Sequence, residues 1–254
     1  MRNTNIEQLW QCLKSGLSGN IMAGPCAVES HEQLVQVAEF LKNSGISILR
    51  AGAFKPRTLP GSFQGLGKEG VRIIHDICKQ YDLISISEVM DIRDLDYMVQ
   101  RIDIIQVGSR NMFNYSMLKE LARVGKPILL KRGLMATLNE FINAAEYIRQ
   151  GNEMIMMCER GIRSFDTATR NILDLSCVPI LKQNTDFPVV VDLSHSLGRK
   201  DIMIPMAKAS MAAGADMIML EVHPEPQKAL SDAKQQLSLY EFERFLENMK
   251  LQNA

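Results

Sequence analysis

Residues 189–201 read VVVDLSHSLGRKD: three consecutive valines run directly into Asp192, and His195 follows three residues later. An unbroken β-branched run is typical of a parallel strand covered on both faces. Residues 217–232, MIMLEVHPEPQKALSD, repeat the pattern, because an apolar run ends at Glu221 and Asp232 follows eleven residues later. Ionisable groups at the end of a buried strand are costly to desolvate unless they pair or bind a ligand. Both stretches therefore predict a buried strand that opens into a functional site.

The apolar runs in these two stretches belong to a series of eight similar runs along the chain. The eight runs are 21–24, 46–51, 83–87, 103–107, 127–131, 153–157, 188–192 and 216–220, and their starts lie 20 to 37 residues apart. That spacing fits one strand and one helix, and eight such units fit a chain of 254 residues. N-cap residues open several of the intervening stretches: Ser30 and Thr137, each with a capping-box partner three residues later, Asp91 and Asn114. The predicted fold class is α/β, a single (β/α)8 TIM barrel.

The domain organisation follows from the absence of any linker-like stretch between the runs. We expect one barrel domain over residues 20–254, preceded by a short N-terminal helical extension over residues 1–19. The extension carries apolar residues at helical spacing, namely Ile6, Leu9, Trp10 and Leu13. Such a stripe could cap the floor of the barrel or join a subunit interface.

Composition excludes several classes of protein. Lys plus Arg and Asp plus Glu number 29 each, which argues against nucleic acid or an anionic membrane as the main partner. No apolar run approaches the roughly 20 residues that span a bilayer. The five cysteines are odd in number and scattered, as expected in a reducing compartment rather than in a disulfide framework. The sequence therefore predicts a cytoplasmic protein.

A first group of residues at the strand ends has the chemistry of a metal site. Its members are Cys26, His195, Glu221 and Asp232. A thiolate, an imidazole and two carboxylates suit one divalent ion such as Mn²⁺, Fe²⁺, Co²⁺ or Zn²⁺. The runs that carry the first three become neighbours once a barrel closes. The alternatives are that His195 is a hydrogen-bonded structural residue and that Asp232 caps a helix.

A second group is cationic. Its members are Arg50, Lys55, Arg57, Arg110, Lys131, Arg160 and Arg163, and several lie in the two longest loops, LRAGAFKPRTLPGSFQGLG and CERGIRSFDTATR. Arginine forks bind phosphate and carboxylate at two points, so the group predicts an anionic substrate. The alternative is a solvated rim of ion pairs with Glu29, Glu88 and Glu159. No dinucleotide or P-loop motif is present, which leaves carbon–carbon bond formation, isomerisation or hydrolysis of a phosphorylated molecule.

Seven motifs, taken together, are similar to one known family. They are AGPCAVES from Ala23, LRAGAFKPRT from Leu49, QVGSRNM from Gln106, LLKRG from Leu129, CERGIR from Cys158, DLSHS from Asp192 and LEVHPEPQKALSD from Leu220. In this order they resemble the 3-deoxy-D-arabino-heptulosonate 7-phosphate (DAHP) synthases of the short, type I-beta branch, from about Asn20 onward. That family condenses phosphoenolpyruvate with erythrose 4-phosphate in the first step of the shikimate route.

The resemblance implies roles for individual residues. Cys26, His195, Glu221 and Asp232 would hold the divalent metal. Arg50, Arg110, Lys131 and Arg160 would bind phosphoenolpyruvate, while Lys55, Arg57 and Thr58 would bind erythrose 4-phosphate. Lys131 is the candidate proton donor, and Glu88 is the candidate partner of the attacking water. His223 is a candidate supporting residue, and its alternative role is only to shape the turn at Pro224 and Pro226.

Two other functions remain open at this stage. One is 3-deoxy-D-manno-octulosonate 8-phosphate synthase, a relative that uses a five-carbon aldose phosphate; the KPRT stretch at Lys55, where we expect a KANRSS-like stretch in that relative, argues against it. The other is a non-catalytic anion-binding subunit. With only about 20 residues before the barrel, we expect no inhibition by aromatic amino acids or prephenate through an appended domain. A homo-oligomer, dimer or tetramer, and a separate regulatory partner such as chorismate mutase are further expectations.

Overall fold

Eight parallel strands close into one barrel. The computed structural model describes residues 6–15 and 21–250. Neighbours along the chain are neighbours in the sheet, and the first strand pairs with the last. The strands are β1 (Ile21–Gly24), β2 (Ile48–Arg50), β3 (Ile84–Val89), β4 (Ile104–Val107), β5 (Ile128–Lys131), β6 (Ile155–Glu159), β7 (Val189–Asp192) and β8 (Met217–Glu221). The predicted TIM barrel is confirmed, and no predicted run differs from its strand by more than two residues at either end.

Helices alternate with the strands, and most of them cover the outside of the barrel. They are α1 (Ile6–Lys14), α2 (His31–Asn43), α3 (Lys68–Tyr81), α4 (Leu95–Val99), α5 (Tyr115–Leu121), α6 (Leu138–Arg149), α7 (Cys177–Asn184), α8 (Leu193–Leu197), α9 (Met203–Ala212) and α10 (Leu239–Lys250). None of the helices in the described ranges is long and apolar enough to cross a membrane. Long loops follow β2, β6 and β8 and reach the carboxyl-terminal end of the barrel.

The helix N-termini show how closely the sequence sets local structure. Thr137 and Glu140 form the complete capping box at the start of α6. Ser30 accepts a hydrogen bond from the backbone N–H of Gln33, but the Gln33 side chain accepts from Glu29 rather than from Ser30, so only half of the predicted box forms. Asn114 caps α5 as predicted. Asp91 caps a 3-10 turn, 92–94, that leads into α4.

The floor of the barrel is closed by α1. Leu13 is fully buried in a cluster with inward-facing strand residues such as Met22, Ile48 and Met217, and Trp10 packs against the same cluster. The side chains of Ile6 and Leu9 lie outside the described part of the structure, as do residues 1–5 and 16–20 of the predicted extension. The described part of the extension therefore packs into the amino-terminal end of the barrel.

Along six of the strands, the inward-facing side chains change from apolar to polar within two residues. Side chains two residues apart on a strand point to the same side of the sheet. Ile48, Ile86, Ile104, Leu129, Val190 and Met219 belong to the inner apolar cluster. Two residues further along the same strands come Arg50, Glu88, Gln106, Lys131, Asp192 and Glu221. The upper layer of the barrel interior is thus made of ionisable and polar groups, which places the site at the carboxyl-terminal end, where TIM-barrel enzymes have theirs.

Candidate active site

A cavity of about 370 Å³ opens at the carboxyl-terminal ends of the strands. Its lining contains most of the residues that the sequence singled out: Arg50, Lys55, Arg57, Thr58, Glu88, Arg110, Lys131, Arg160, Arg163, His195 and Asp232. Arg170 and Asn171, from the long loop after β6, line the same cavity and were not predicted. Residues from three strands (β2, β3 and β5), from the loops after β2, β4, β6 and β8, and from α8 therefore meet in one place.

The four candidate metal ligands form a cluster beside this cavity. One ligand atom from each of Cys26, His195, Glu221 and Asp232 lies within 4.8 Å of the other three. Cys26 and Glu221 are fully buried, whereas 12% of the His195 side chain and 22% of the Asp232 side chain are exposed. First-row metal ions bind sulfur at about 2.3 Å and nitrogen or oxygen at about 2.0–2.2 Å, so donors this close can share one ion. The donor set and its spacing fit a divalent metal.

Local structure brings each of these donors to the cluster. Cys26 follows β1 by two residues, and its backbone N–H donates to Gln236 at 3.0 Å. Glu221 is the last residue of β8 and its N–H donates to the Ser194 hydroxyl. Asp232 has a left-handed backbone, with φ of 48°, a conformation that Asp tolerates better than most residues.

Asp192 fixes the orientation of His195. One carboxylate oxygen of Asp192 lies 2.8 Å from His195 Nδ1, and the other accepts from the His195 backbone N–H at 3.0 Å. Burial lowers the pKa of His195 despite the adjacent Asp192 carboxylate. A neutral ring that donates its Nδ1 proton to Asp192 keeps a lone pair on Nε2, which lies 3.2 Å from Glu221 Oε1 and points into the cluster.

Three cations pair with the three acidic donors. Arg50 Nη1 lies 3.1 Å from Glu221 Oε1, and Lys55 Nζ lies 2.8 Å from Cys26 Sγ. Arg170 Nη1 lies 3.1 Å from Asp232 Oδ2. Burial, reinforced by the Glu221 carboxylate, raises the pKa of the Cys26 thiol to about 12 although Lys55 opposes the shift. Burial would also raise the pKa of Asp232, but Arg170 and His195 hold it below its usual range.

The inner cations of the cavity are held by neutral or acidic partners. Arg50 Nε donates to Gln106 at 3.2 Å, and the Gln106 amide donates to Glu88 at 2.8 Å. Lys131 donates to the same Asp192 oxygen that contacts His195. His195 and Lys131 hold the pKa of Asp192 well below its usual value, although burial acts in the opposite direction.

Further bonds fix the outer part of the cavity. Arg160 Nη2 donates to the backbone carbonyl of His195 at 3.1 Å. Asn171 Nδ2 donates to the same carbonyl at 2.9 Å. The loop after β6 is thereby joined to His195 of α8, one of the four candidate metal ligands.

The alternative to anion binding, a solvated rim of ion pairs with Glu29, Glu88 and Glu159, does not form with these acids. Glu159 lies at the end of β6 and pairs with Arg132 at 3.0 Å, away from the cavity. Glu88 bonds to Gln106, and Glu29 accepts from the backbone N–H of Leu230. Within the described ranges, no ion pair involves the rim cations Arg57, Arg110 and Arg163. Their charge therefore faces the cavity without neutralisation by the protein.

His223 lies outside the cavity lining. Its Nδ1 accepts from the backbone N–H of Glu225 at 3.0 Å, and its Nε2 is 3.5 Å from the Glu29 carboxylate. The contact joins the loop after β8 to the loop after β1. His223 therefore contacts the turn that includes Pro224, rather than the cavity.

The chain is similar to known proteins in sequence and in structure. The model of the DAHP synthetase I family matches residues 14–253. Phospho-2-dehydro-3-deoxyheptonate aldolase of Thermotoga maritima is 48% identical over 231 residues, which are 91% of this chain and 68% of that protein. A 2-dehydro-3-deoxyphosphooctonate aldolase of Francisella philomiragia subsp. philomiragia is 29% identical over 249 residues, 91% of this chain and 90% of that protein.

Solved structures of the Thermotoga enzyme superpose on this chain. The structure of phospho-2-dehydro-3-deoxyheptonate aldolase (DAHP synthase) matches with a TM-score of 0.89 and 47% identity, covering 92% of this chain and 68% of that one. A truncated form of the 3-deoxy-D-arabino-heptulosonate 7-phosphate synthase from the same organism matches with a TM-score of 0.85 and 43% identity, covering 92% of this chain and 86% of that one. On the family match, the sequence identity and the shared barrel, this chain belongs to the DAHP synthetase I family.

Proposed function

We propose how this 3-deoxy-7-phosphoheptulonate synthase, a transferase that condenses phosphoenolpyruvate with erythrose 4-phosphate, divides the reaction among its residues. One observation carries the proposal: four mixed donor groups lie within 4.8 Å of one another beside a cavity lined by cations. A substrate with several negative charges needs such a lining, and a substrate carbonyl needs a polarising group next to it. The donor cluster and the cation-lined cavity supply both requirements together.

Phosphoenolpyruvate belongs in the deep part of the cavity. We assign its phosphate and carboxylate to Arg50, Arg110, Lys131 and Arg160. Arg50, Lys131 and Arg160 are buried and already oriented by hydrogen bonds to Gln106, Asp192 and the His195 carbonyl. Pre-oriented donors lose little side-chain entropy when the anion binds, which favours binding.

Erythrose 4-phosphate belongs at the loop after β2. We assign its phosphate end to Lys55, Arg57 and Thr58, which line the cavity. Arg57 and Thr58 lie towards the solvent, while the Lys55 ammonium reaches inward to Cys26. This gradient from exposed to buried would leave the aldehyde end of the substrate next to the donor cluster.

Bound at Cys26, His195, Glu221 and Asp232, one divalent ion supplies Lewis-acid polarisation of the substrate carbonyl. C3 of phosphoenolpyruvate attacks the aldehyde carbon, and Lys131 donates a proton to the aldehyde oxygen. Water adds to the resulting cation at C2 and gives up a proton to Glu88. The phosphohemiketal then breaks its carbon–oxygen bond, which releases phosphate and leaves the ketone of the product. The mixed donors suit Mn²⁺, Fe²⁺, Co²⁺ or Zn²⁺.

The choice of aldose tests the proposal against its nearest alternative. Relatives that are 2-dehydro-3-deoxyphosphooctonate aldolases are 28–30% identical to this chain, against 48% for the Thermotoga enzyme. Metal-stripped protein is given phosphoenolpyruvate and Mn²⁺ with either erythrose 4-phosphate or arabinose 5-phosphate, and phosphate release is followed. We expect turnover with the four-carbon aldose. Turnover with only the five-carbon aldose would contradict the substrate, and none with either would favour a non-catalytic anion-binding subunit.

The proposal extends to the setting of the enzyme. Cys26, Cys158 and Cys177 form no disulfide bond, which suits a reducing compartment and supports the predicted cytoplasmic location. Assembly into a homo-oligomer and control by a separate partner such as chorismate mutase stay predictions.

A further inference from the structure

Arg170 and the candidate metal ligands share contacts with one oxygen atom of Asp232. Arg170 Nη1 lies 3.1 Å from Asp232 Oδ2, and the same oxygen is 3.4 Å from Cys26 Sγ and 3.7 Å from His195 Nε2. Oδ2 is therefore the atom that Asp232 presents to the donor cluster. A divalent ion placed among these donors would lie close to the guanidinium, and like charges at such distances repel strongly in a partly buried site.

The other two cations of the cluster are fixed in place. Arg50 is 2% exposed and donates from Nε to Gln106 as well as from Nη1 to Glu221. Lys55 donates to the backbone carbonyl of Cys26 in addition to its thiol. Arg50 and Lys55 each have a second, uncharged hydrogen-bond partner. These partners would hold the two cations near the cluster when Glu221 and Cys26 bind a metal.

Arg170 also has an uncharged partner, Gln235 Oε1 at 2.8 Å, but it differs because its side chain is partly exposed while its backbone is fixed. The side chain is 38% exposed and lines the cavity. The backbone N–H donates to the Leu197 carbonyl at 2.9 Å, and the Arg170 Cβ lies so close to Gly198 that a Cβ there would be 2.5 Å away. The guanidinium can therefore swing into the cavity without movement of the loop that carries it.

We propose that Arg170 acts as an exchangeable counterion: it neutralises Asp232 before the metal binds, and metal binding releases it into the cavity, where it becomes an additional ligand for the anionic substrate. Metal and substrate then favour each other's binding, because each uses one of the two partners of the Arg170–Asp232 pair. Gln235 bonds to Arg170 at 2.8 Å and to Glu221 at 2.6 Å, so it can keep the carboxylates ordered after Arg170 leaves.

This inference rests on the proposed function, and the experiment separates the two. Metal-stripped full-length protein is titrated with Mn²⁺ in competition with a fluorescent chelator, without substrates, as wild type, R170Q and R163Q. R163Q is the matched control, because the substitution removes the same charge from the same cavity. In the described ranges Arg163 has no contact with Asp232. Far-UV circular dichroism confirms that each variant is folded.

We expect R170Q to bind Mn²⁺ about fivefold or more tightly than R163Q, since the competitor for Asp232 is gone. Calorimetry without aldose then measures how much Mn²⁺ increases the affinity of each variant for phosphoenolpyruvate. We expect this increase to be about threefold or more greater in R163Q than in R170Q. Equal or weaker Mn²⁺ binding by R170Q would overturn the exchange, and an undiminished gain in phosphoenolpyruvate affinity would overturn the substrate contact. Failure of the wild type to bind Mn²⁺ would instead contradict the proposed function.

Discussion

Asp192→Asn tests how the protein prepares His195 for a metal. Asp192 is fully buried and accepts hydrogen bonds from Lys131, from the His195 backbone N–H and from the His195 ring. Asparagine has the same shape but replaces one acceptor oxygen with a donor group. If its oxygen keeps the bond to the backbone N–H, its amide N–H₂ meets Lys131 and His195 Nδ1. The ring can then accept that N–H only by moving its own proton to Nε2, which removes the lone pair from the donor cluster.

The magnitude follows from two separate losses. Partners that orient a metal-binding histidine are worth about 10–100-fold in metal affinity, which is about 1.4–2.8 kcal/mol. Removing one partner of a buried charge pair costs about 3–5 kcal/mol of stability, because the Lys131 charge is left without compensation. We therefore expect the variant to bind Mn²⁺ about 10–100-fold more weakly and to be less stable.

The assay is Mn²⁺ binding to metal-stripped protein at a temperature where the variant is folded. Asp216→Asn is the matched control, since Asp216 accepts from the Val189 N–H at 2.7 Å at the opposite end of β7. It should lose stability without losing metal affinity. Metal binding by Asp192→Asn within about twofold of wild type, or an equal loss in Asp216→Asn, would refute the role given to Asp192.

Three further substitutions test other parts of the structure. A Cβ at Gly108 would lie 1.9 Å from Glu88 Oε1, so Gly108→Ala should displace Glu88 and lower kcat by about 10–100-fold in the phosphate-release assay. Leu13 is fully buried in the barrel floor, so Leu13→Ala should lower the free energy of unfolding in urea by about 2–5 kcal/mol. Contacts with Lys200 and Ser238 hold the pKa of Glu241 below its usual value of 4.5, although burial opposes them. The stabilisation that Glu241 contributes is therefore present above pH 4.5 and lost as pH falls through the folded-state pKa. The stability difference between wild type and Glu241→Gln should be about 1 kcal/mol at neutral pH and shrink in acid.

Controls separate these effects from general disturbance. A Cβ at Gly61 would have nothing within 4 Å, so Gly61→Ala should leave kcat unchanged. Leu230 is 52% exposed, so Leu230→Ala should cost far less stability than Leu13→Ala. Unchanged kcat in Gly108→Ala, equal unfolding of the two leucine variants, or a Glu241→Gln difference that does not change with pH would each contradict the corresponding reasoning.

The barrel could be predicted because its signal is repeated eight times along the chain. Each strand is buried on both faces and therefore apolar almost throughout, and the interval to the next strand has the length of one helix. Even the inner layer of polar groups follows from the sequence, since a two-residue step from Val190 leads to Asp192. Asp192 and Gln106 were nevertheless missed as site residues, because the prediction chose His195 near the end of β7 and Arg110 near the end of β4 and did not use the alternation within the runs.

The loops set the limit of prediction. Arg170 lies in a stretch that was recognised as rich in cations, but only the folded path of the loop after β6 brings it to Asp232, 62 residues away. The ion pairs were similarly misjudged: alternation along β6 places Glu159 on the outer side of the sheet, but only the folded structure shows that its partner there is Arg132. Periodicity gives the side of a strand on which a residue lies, whereas a loop residue has no comparable period.

The most direct single measurement is the dependence of turnover on metal equivalents. Metal-stripped protein is titrated with Mn²⁺ while phosphate release from phosphoenolpyruvate and erythrose 4-phosphate is followed, in wild type and in Cys26→Ser. We expect wild-type turnover to rise from zero to a plateau at one equivalent per chain, and Cys26→Ser to require a much higher Mn²⁺ concentration. Turnover that persists in excess EDTA, or a Cys26→Ser titration that coincides with that of wild type, would contradict a catalytic metal held by Cys26, His195, Glu221 and Asp232.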